Sequence, residues 1–359
     1  MQPRKKALIA AAVGTVLGVT GLTFVAMPAG ANEQPPELPA VSAEGLVQSV
    51  ATAKAPALRG TVAVNESLGL PAGLPGVGSL DLQDARVWHD GQGRNRLALK
   101  QGSGEHTVVQ DGATVWRYDS GDNTATKLTL PAGKQQQREA EAGDPAAMAT
   151  QLLGAIRESS TVSVDGTARV ADRAAYELVL TPKPEERTLL REVRVAVDEQ
   201  TRLPLRLKVL TNGTTEPAFE VAFTEFVVEP QPADLFTFTP PAGAKVTDKA
   251  VEDHQPGEAG KLAEQLAPKT VGTGWDTVLT GTLPADALPG GKLPQSVPGE
   301  RGAVDVRQLL GQFAKPVSGP FGTGHVVTTK VGTALLTDDG RFAAGAVPEQ
   351  VLIEALSAK

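Results

Sequence analysis

Residues 191–241, REVRVAVDEQTRLPLRLKVLTNGTTEPAFEVAFTEFVVEPQPADLFTFTPP, decide the fold, because three strands can be read in a row within them. Val193, Val195 and Val197 share one side, with Arg194 and Asp198 on the other. After the polar turn DEQTR (198–202), Leu203, Leu205, Leu207 and Val209 share a side against Arg206 and Lys208. Asn212-Gly213 supplies the positive φ angles of a tight hairpin. Phe219, Val221 and Phe223 then alternate with Glu220 and Thr224, and Phe226 and Val228 fall out of phase, which predicts a bulge near Thr224–Glu225. This period of two, apolar against polar, is the pattern of an antiparallel sheet with one solvated face. Strands of a parallel sheet covered on both faces would instead read as unbroken apolar runs.

The 359 residues exceed one typical domain. Residues 1–31 read as a signal peptide: Arg4, Lys5 and Lys6 precede an apolar stretch at 7–27, and Ala29-Gly30-Ala31 forms a small-x-small cleavage site before Asn32. The alternative is an uncleaved N-terminal membrane anchor, since the apolar stretch approaches the ~20 residues that span a bilayer. Removing the three positive charges from a net charge of −7 leaves −10. An acidic chain without basic clusters argues against a nucleic-acid partner. An exported chain without cysteine has no disulfide staples and is held by burial alone. The expected location is the cell envelope or the extracellular space.

Residues 32–41 form a proline-rich tether. A helix is predicted from Ser42, its N-cap, to about Lys54, with Leu46, Val47, Val50 and Ala51 on one side. A strand follows at 59–68. Residues 68–80, LGLPAGLPGVGSL, are unusual for a loop in being uncharged and carrying Leu70, Leu74 and Val77. They read either as a loop tucked against the protein's own edge or as a movable flap over an apolar cavity. Strands resume at 85–90, 94–101, 105–110, 114–118 and 127–130. A second helix is predicted from Asp144 to about Glu158, presenting Met148, Leu152, Leu153 and Ile156. Strands at 162–170 and 174–182 lead back into the meander. Residues 42–246 thus hold about ten antiparallel strands and two helices, and a sheet that long curls. The expected object is an α+β half-open β-barrel with a helical lid. Residues 247–270 read as a linker with a short helix near 258–266. Residues 271–359 read as a small C-terminal α+β module, with a strand at 275–281, a helix near 304–313, a hairpin over 325–347 and a terminal helix at 349–357.

Catalytic signatures are missing. The four histidines, His89, His106, His254 and His325, show no metal-ligand spacing, and there is no Cys. No GxSxG elbow appears, and the glycine-rich pieces lack the context of phosphate loops. Asp338-Asp339 and Glu185-Glu186 read as turn and loop charges. The expectation is a non-enzyme without cofactor or metal.

An exported chain with an opening helix, strands containing VWRYD (115–119), a helix, YELVLTP (176–182), AVDEQTRLPLRLKV (196–209) and VAFTEFVVEPQPADLFTFTPPAGAKV (221–246) resembles the lipoprotein-carrier (LolA-like) superfamily, which includes the RseB/MucB regulators. The likeness covers roughly residues 41–246. It implies a half-open barrel with helices as a lid, an apolar cavity for acyl chains, and no catalysis. A single-domain carrier lacks the module at 271–359, and a two-part chain is closer to the RseB/MucB regulators. Two functions follow. The first is an extracytoplasmic carrier or binder of lipids or lipoprotein acyl chains. The second is a regulator that senses envelope ligands and binds a membrane partner such as an anti-sigma factor.

The expected cavity is lined by Leu97, Leu99, Trp116, Tyr118, Tyr176, Leu178, Val193, Val195, Leu205, Leu207, Phe219, Val221 and Phe223. The expected lid is Leu70, Leu74 and Val77 with Met148, Leu152, Leu153 and Ile156.

Overall fold

A computed structural model describes residues 35–69, 84–101, 104–129, 154–250, 268–283, 292–293, 304–305 and 314–357. The leader at 1–31, the 70–80 segment, Met148, Leu152, Leu153 and the linker helix expected near 258–266 lie outside them. Among the described residues, no helix is long and apolar enough to cross a membrane.

The N-terminal stretch 35–42 is extended, as its prolines require, and the Pro36 carbonyl accepts the Thr167 hydroxyl at 2.6 Å. Ser42 then caps α1 (Ala43–Thr52), its Oγ accepting the Gly45 N–H at 3.1 Å. Twelve strands build the large sheet. The first run is β1 (Ala57–Glu66), β2 (Ala85–Asp90), β3 (Asn95–Gln101), β4 (Gly104–Asp111), β5 (Thr114–Asp119) and β6 (Thr124–Thr129). The second is β7 (Ser160–Val170), β8 (Arg173–Pro182), β9 (Leu190–Asp198), β10 (Pro204–Thr211) and β11 (Phe219–Val228). Each run is an antiparallel meander, and β1 pairs with β11 to join them. β12 (Lys245–Ala250), which falls at the start of the expected linker, instead adds parallel to β6. With β12 and β7 as its two edges, the sheet stays open: a curved half-barrel.

The central meander forms as its periodicity requires. Gly213 turns the β10–β11 hairpin at φ 79°. Thr61 faces Glu225 while Val62 faces Phe223, so Thr224 is left unpaired in a bulge. That one extra residue returns Phe226 to the side of Phe223, and the two rings meet edge-on with centroids 5.0 Å apart. Gly60 makes room for them. A Cβ there would lie 2.7 Å from the Glu225 carbonyl and 2.7 Å from the Phe223 ring. Gly60→Ala should therefore lose about 2 kcal/mol, read as a lower urea midpoint with an unchanged slope, because the obstructing atom is backbone.

The turn DEQTR is fixed by Asp198, which is 1% exposed. It accepts Arg173 through both oxygens (2.6 and 2.9 Å) and the Thr201 N–H and hydroxyl (2.7 and 2.8 Å). Burial alone would raise its pKa, but the hydrogen bonds from Arg173 and Thr201 outweigh that and hold it below the usual aspartate value. Arg202 completes the turn at φ 60° and lays its guanidinium 5.2 Å from the Tyr176 ring centre.

Two expectations about sidedness need correction. Trp116 and Tyr118 are in register with Val109 and Thr107, whereas Leu97 and Leu99 are in register with Val108 and His106. The aromatic pair therefore lies on the opposite side of the sheet from Leu97 and Leu99. Its side is covered by the stretch after β11, where residues 229–244 cross the reverse of β3–β6. Phe236 is 1% exposed, and Phe238 sits 5.5 Å from Trp116 and 5.6 Å from Tyr118. Ala98, Thr107, Val109 and Ala125, the described buried residues of β3–β6, share that reverse side, while Leu97, Leu99 and Val108 opposite are half-buried. Both sides carry apolar residues there, so alternation alone does not say which side is the inner one. Leu205 is the second case. A register shift between Pro204 and Arg206 breaks the alternation, and Leu205 packs with Ala175, Ala196 and Phe226, out of the row that contains Leu207.

The C-terminal module has its own core. Its strands in chain order are β13 (Lys269–Val271), β14 (Val278–Thr282), β15 (Lys292–Leu293), β16 (Val304–Asp305), β17 (Lys315–Gly319), β18 (Gly322–Thr328), β19 (Thr333–Thr337) and β20 (Arg341–Gly345). Six of them form a sheet in the order β13-β14-β20-β19-β18-β17. α2 (Glu349–Ser357) buries Val351, Leu352 and Leu356 against Val278, Leu335 and Ala343. Val304 and Asp305, read from the sequence as the start of a helix, instead pair as β16 with β15, Val304 opposite Leu293 and Asp305 opposite Lys292.

Candidate functional site: the apolar side of the half-barrel

One side of the sheet carries a continuous apolar row. Leu178 faces Val164 and Val195, Val195 faces Leu207, Leu207 faces Val221, and Val221 faces Val64. The row continues through Val62 opposite Ala85, then Val87 opposite Leu97, and Leu97 opposite Val108. On the reverse of the same strands stand Arg194, Arg206 and Lys208, neutralised by Asp165, Glu192, Glu177 and Glu220; the closest pair is Arg206–Glu177 at 2.5 Å. The meander thus has one side fit for apolar contact and one saturated with ion pairs.

The α1 helix reaches only one end of this row. Leu46, Val47 and Val50 pack with Tyr176, Leu178, Leu180, Val195, Val197, Val162 and Val164, all on β7–β9. Leu97, Leu99, Phe219 and Val221 form a different cluster with Val62, Val64 and Ala85, in which, among the described residues, every member is a strand residue. Leu207 and Val193 lie between the two clusters by register. Phe223 is on this side too but packs towards Leu58 and Phe226. Of the thirteen expected cavity residues, ten therefore share the row, Trp116 and Tyr118 are on the reverse, and Leu205 is displaced by its bulge. Of the expected lid, Ile156 is the residue described, and it is half-buried in the helical stretch 154–159.

Sequence reading passed over Val62, Val64 and Ala85, although Val62 and Val64 alternate visibly within β1. Glu66 stands at the end of the same side, opposite Phe219, and burial pushes its carboxyl above the usual value.

At that end the C-terminal module is docked, a contact with no local sequence signal. The β8–β9 loop supplies it. The Glu186 carboxylate accepts the N–H groups of Trp275 (2.7 Å) and Asp276 (3.2 Å), and Arg187 pairs with Glu354 at 2.6 Å. The Thr188 hydroxyl and the Leu189 N–H both donate to the Ala346 carbonyl, at 2.7 and 2.8 Å. The Trp275 indole N–H donates to Ser160 at 2.7 Å, and Lys330 donates to the Leu68 carbonyl and the Ser67 hydroxyl.

The described histidines stay apart. His89 meets Asn95, His106 meets Asp119, and His325 lies 3.8 Å from Asp338. Among the described residues, no three His, Asp or Glu side chains are grouped to hold a metal ion.

Comparison with known proteins adds a match to one family model over part of the chain. Residues 82–249, which run from just before β2 to β12, match the MucB/RseB N-terminal domain. Curated proteins give no match. Among solved structures, the MucA/MucB complex of Pseudomonas aeruginosa is similar at 16% identity and a TM-score of 0.45, over 88% of this chain and 97% of that one. A LolA superfamily protein of Nitrosomonas europaea is similar at 13% identity and a TM-score of 0.24, over 55% and 99%. A conserved protein of Thermus thermophilus is similar at 15% identity and 0.34, over 58% and 99%.

Proposed function

We propose that this chain, a member of the LolA-like, MucB/RseB superfamily, is an extracytoplasmic, non-catalytic binding protein whose half-barrel takes the acyl chains of lipids or lipoproteins. The observation that carries this reading is the cluster of Leu97, Leu99, Val62, Val64, Phe219 and Val221, made of strand residues alone among the described residues and beyond the reach of α1. Acyl chains gain ~0.8 kcal/mol per buried methylene, enough for binding once about ten are covered. The acidic, cysteine-free composition and the leader-like residues 1–31 support an envelope or extracellular location.

A second reading is favoured by the docked C-terminal module: a regulator whose module contacts an envelope membrane protein. The similar MucB was solved bound to MucA, which gives this reading its form. The two readings share the apolar row.

The test uses the chain from Asn32 onward and dansylaminoundecanoic acid, whose emission rises and blue-shifts in an apolar site. Saturable micromolar binding that palmitate displaces is expected. No saturable change, with a native circular dichroism spectrum, would sink the acyl-binding reading and leave the regulatory one.

A further inference from the structure

The docking contacts of the C-terminal module stand on the same hairpin that lines the apolar row. β8 contributes Tyr176, Leu178 and Leu180 to it, β9 contributes Val193 and Val195, and the loop between them carries Glu186, Arg187 and Thr188. Ser160 is in register with Pro182 at the start of β7, and Val162 and Val164 follow it on the same side, facing Leu180 and Leu178. The hydroxyl that receives the Trp275 indole thus closes the column that α1 covers further along.

The turn that brings Trp275 there is built for close approach. Gly274 has φ 82°, and a Cβ on it would lie 2.6 Å from the Ser159 Cβ and 2.7 Å from the Glu186 Oε1. Only glycine lets both N–H groups after it reach the Glu186 carboxylate. The named contacts of Glu186, Arg187, Thr188, Leu189 and Trp275 with their partners are hydrogen bonds or an exposed ion pair, the kind that water replaces at small net cost. Docking of this kind is reversible, unlike the module's own apolar core.

Resting on the acyl-binding reading, we infer that occupancy of the apolar row and docking of the C-terminal module oppose each other, with Trp275 on Ser160 as the latch. An acyl chain that leaves the cluster of strand residues past Phe219 and crosses Val209 and Val193 to Leu180, which are in register with one another, reaches the end of the column and displaces the indole. Losing that bond loosens the turn at Gly274 and with it the grip on Glu186. By linkage, whatever holds the module down must weaken acyl binding by the same factor that acyl binding loosens the module.

The chain contains no Cys, so a pair can be placed at will. In Arg187→Cys/Glu354→Cys, a short reducible bismaleimide locks the module, and reduction of the linker frees it. Binding of dansylaminoundecanoic acid is measured in the same preparation before and after reduction. The locked form should bind about tenfold more weakly, with full recovery on release, and Trp275→Ala should bind several-fold more tightly than the unaltered chain. Equal affinity in the locked and released forms overturns the inference while leaving acyl binding intact, as does tighter binding when locked. If neither form binds the probe, the acyl-binding reading fails and the latch falls with it.

Discussion

Asp198→Ala should destabilise the protein by about 3 kcal/mol, the largest loss expected from any single substitution in the meander. Asp198 is 1% exposed and anchors four hydrogen bonds at once, two from Arg173 and two from Thr201. Removing it leaves the Arg173 guanidinium, which also stands 5.4 Å from the Phe226 ring centre, without its partner in a site that remains mostly dry. The β9–β10 turn would lose the bond that sets it, and Leu203 and Leu205 would lose the register that buries them. A chemical denaturation midpoint close to that of the unaltered protein would show that the turn is held by packing instead.

The same residue sets an acid limit. Its folded-state pKa is depressed by the Arg173 and Thr201 hydrogen bonds despite the opposing effect of burial. A depressed carboxylate contributes stability that is fully present above its unfolded pKa and is lost as pH falls through the folded value. Asp90 adds to the same limit: burial opposes ionisation, but its bonds from Arg94 and the Gln92 N–H lower its pKa to about 2. Stability should therefore be flat near neutrality and fall only in strong acid. The Asp198→Ala protein should show a shallower fall than its parent, measurable as the pH dependence of the urea midpoint.

Leu207→Asp should abolish acyl-probe binding, with affinity falling at least about 100-fold. Leu207 faces Val195 on one side and Val221 on the other, in the middle of the apolar row and between its two clusters. The change removes an apolar contact worth ~1.5–3 kcal/mol and sets an unpaired carboxylate in the path of a methylene chain. Lys208→Glu, one residue along, reverses a charge on the ion-paired side, where Lys208 lies 3.8 Å from Glu220. It should leave the probe affinity within about twofold, because such pairs contribute ~1 kcal/mol or less and do not touch the row. Equal losses from both would mean that the probe does not lie on this side. If Leu207→Asp fails to fold by circular dichroism, Leu97→Ser makes the same test on β3, outside the meander.

Much of the fold is legible in the amino-acid sequence. Ser42 as helix cap, the Asn212-Gly213 hairpin and the bulge at Thr224 are local events, each settled by a few neighbouring residues. The site is legible where it depends on the meander, since a period of two assigns Val193, Val195, Leu207, Phe219 and Val221 to one side without further information. At β5 the pattern misleads. Trp116 and Tyr118 are the bulkier alternates in VWRYD, but their apolar partner is Phe238, 120 residues or more away in sequence.

By itself, then, the sequence determined an open antiparallel sheet with one apolar side, its turns and its first helix cap, because hydrogen-bond geometry and side-chain alternation act over a few residues. Only the tertiary structure decided which side each outer strand contributes. That depends on what crosses the reverse of the sheet: residues 229–244 bring Phe236 and Phe238 there, and β12 extends the edge in parallel. Only the tertiary structure also brought Trp275 to Ser160 and Glu186 to the turn at Gly274. An alternating pattern gives a residue's phase within its own strand. It says nothing of the distant surface that will cover it, and that is where the module's grip on the half-barrel is made.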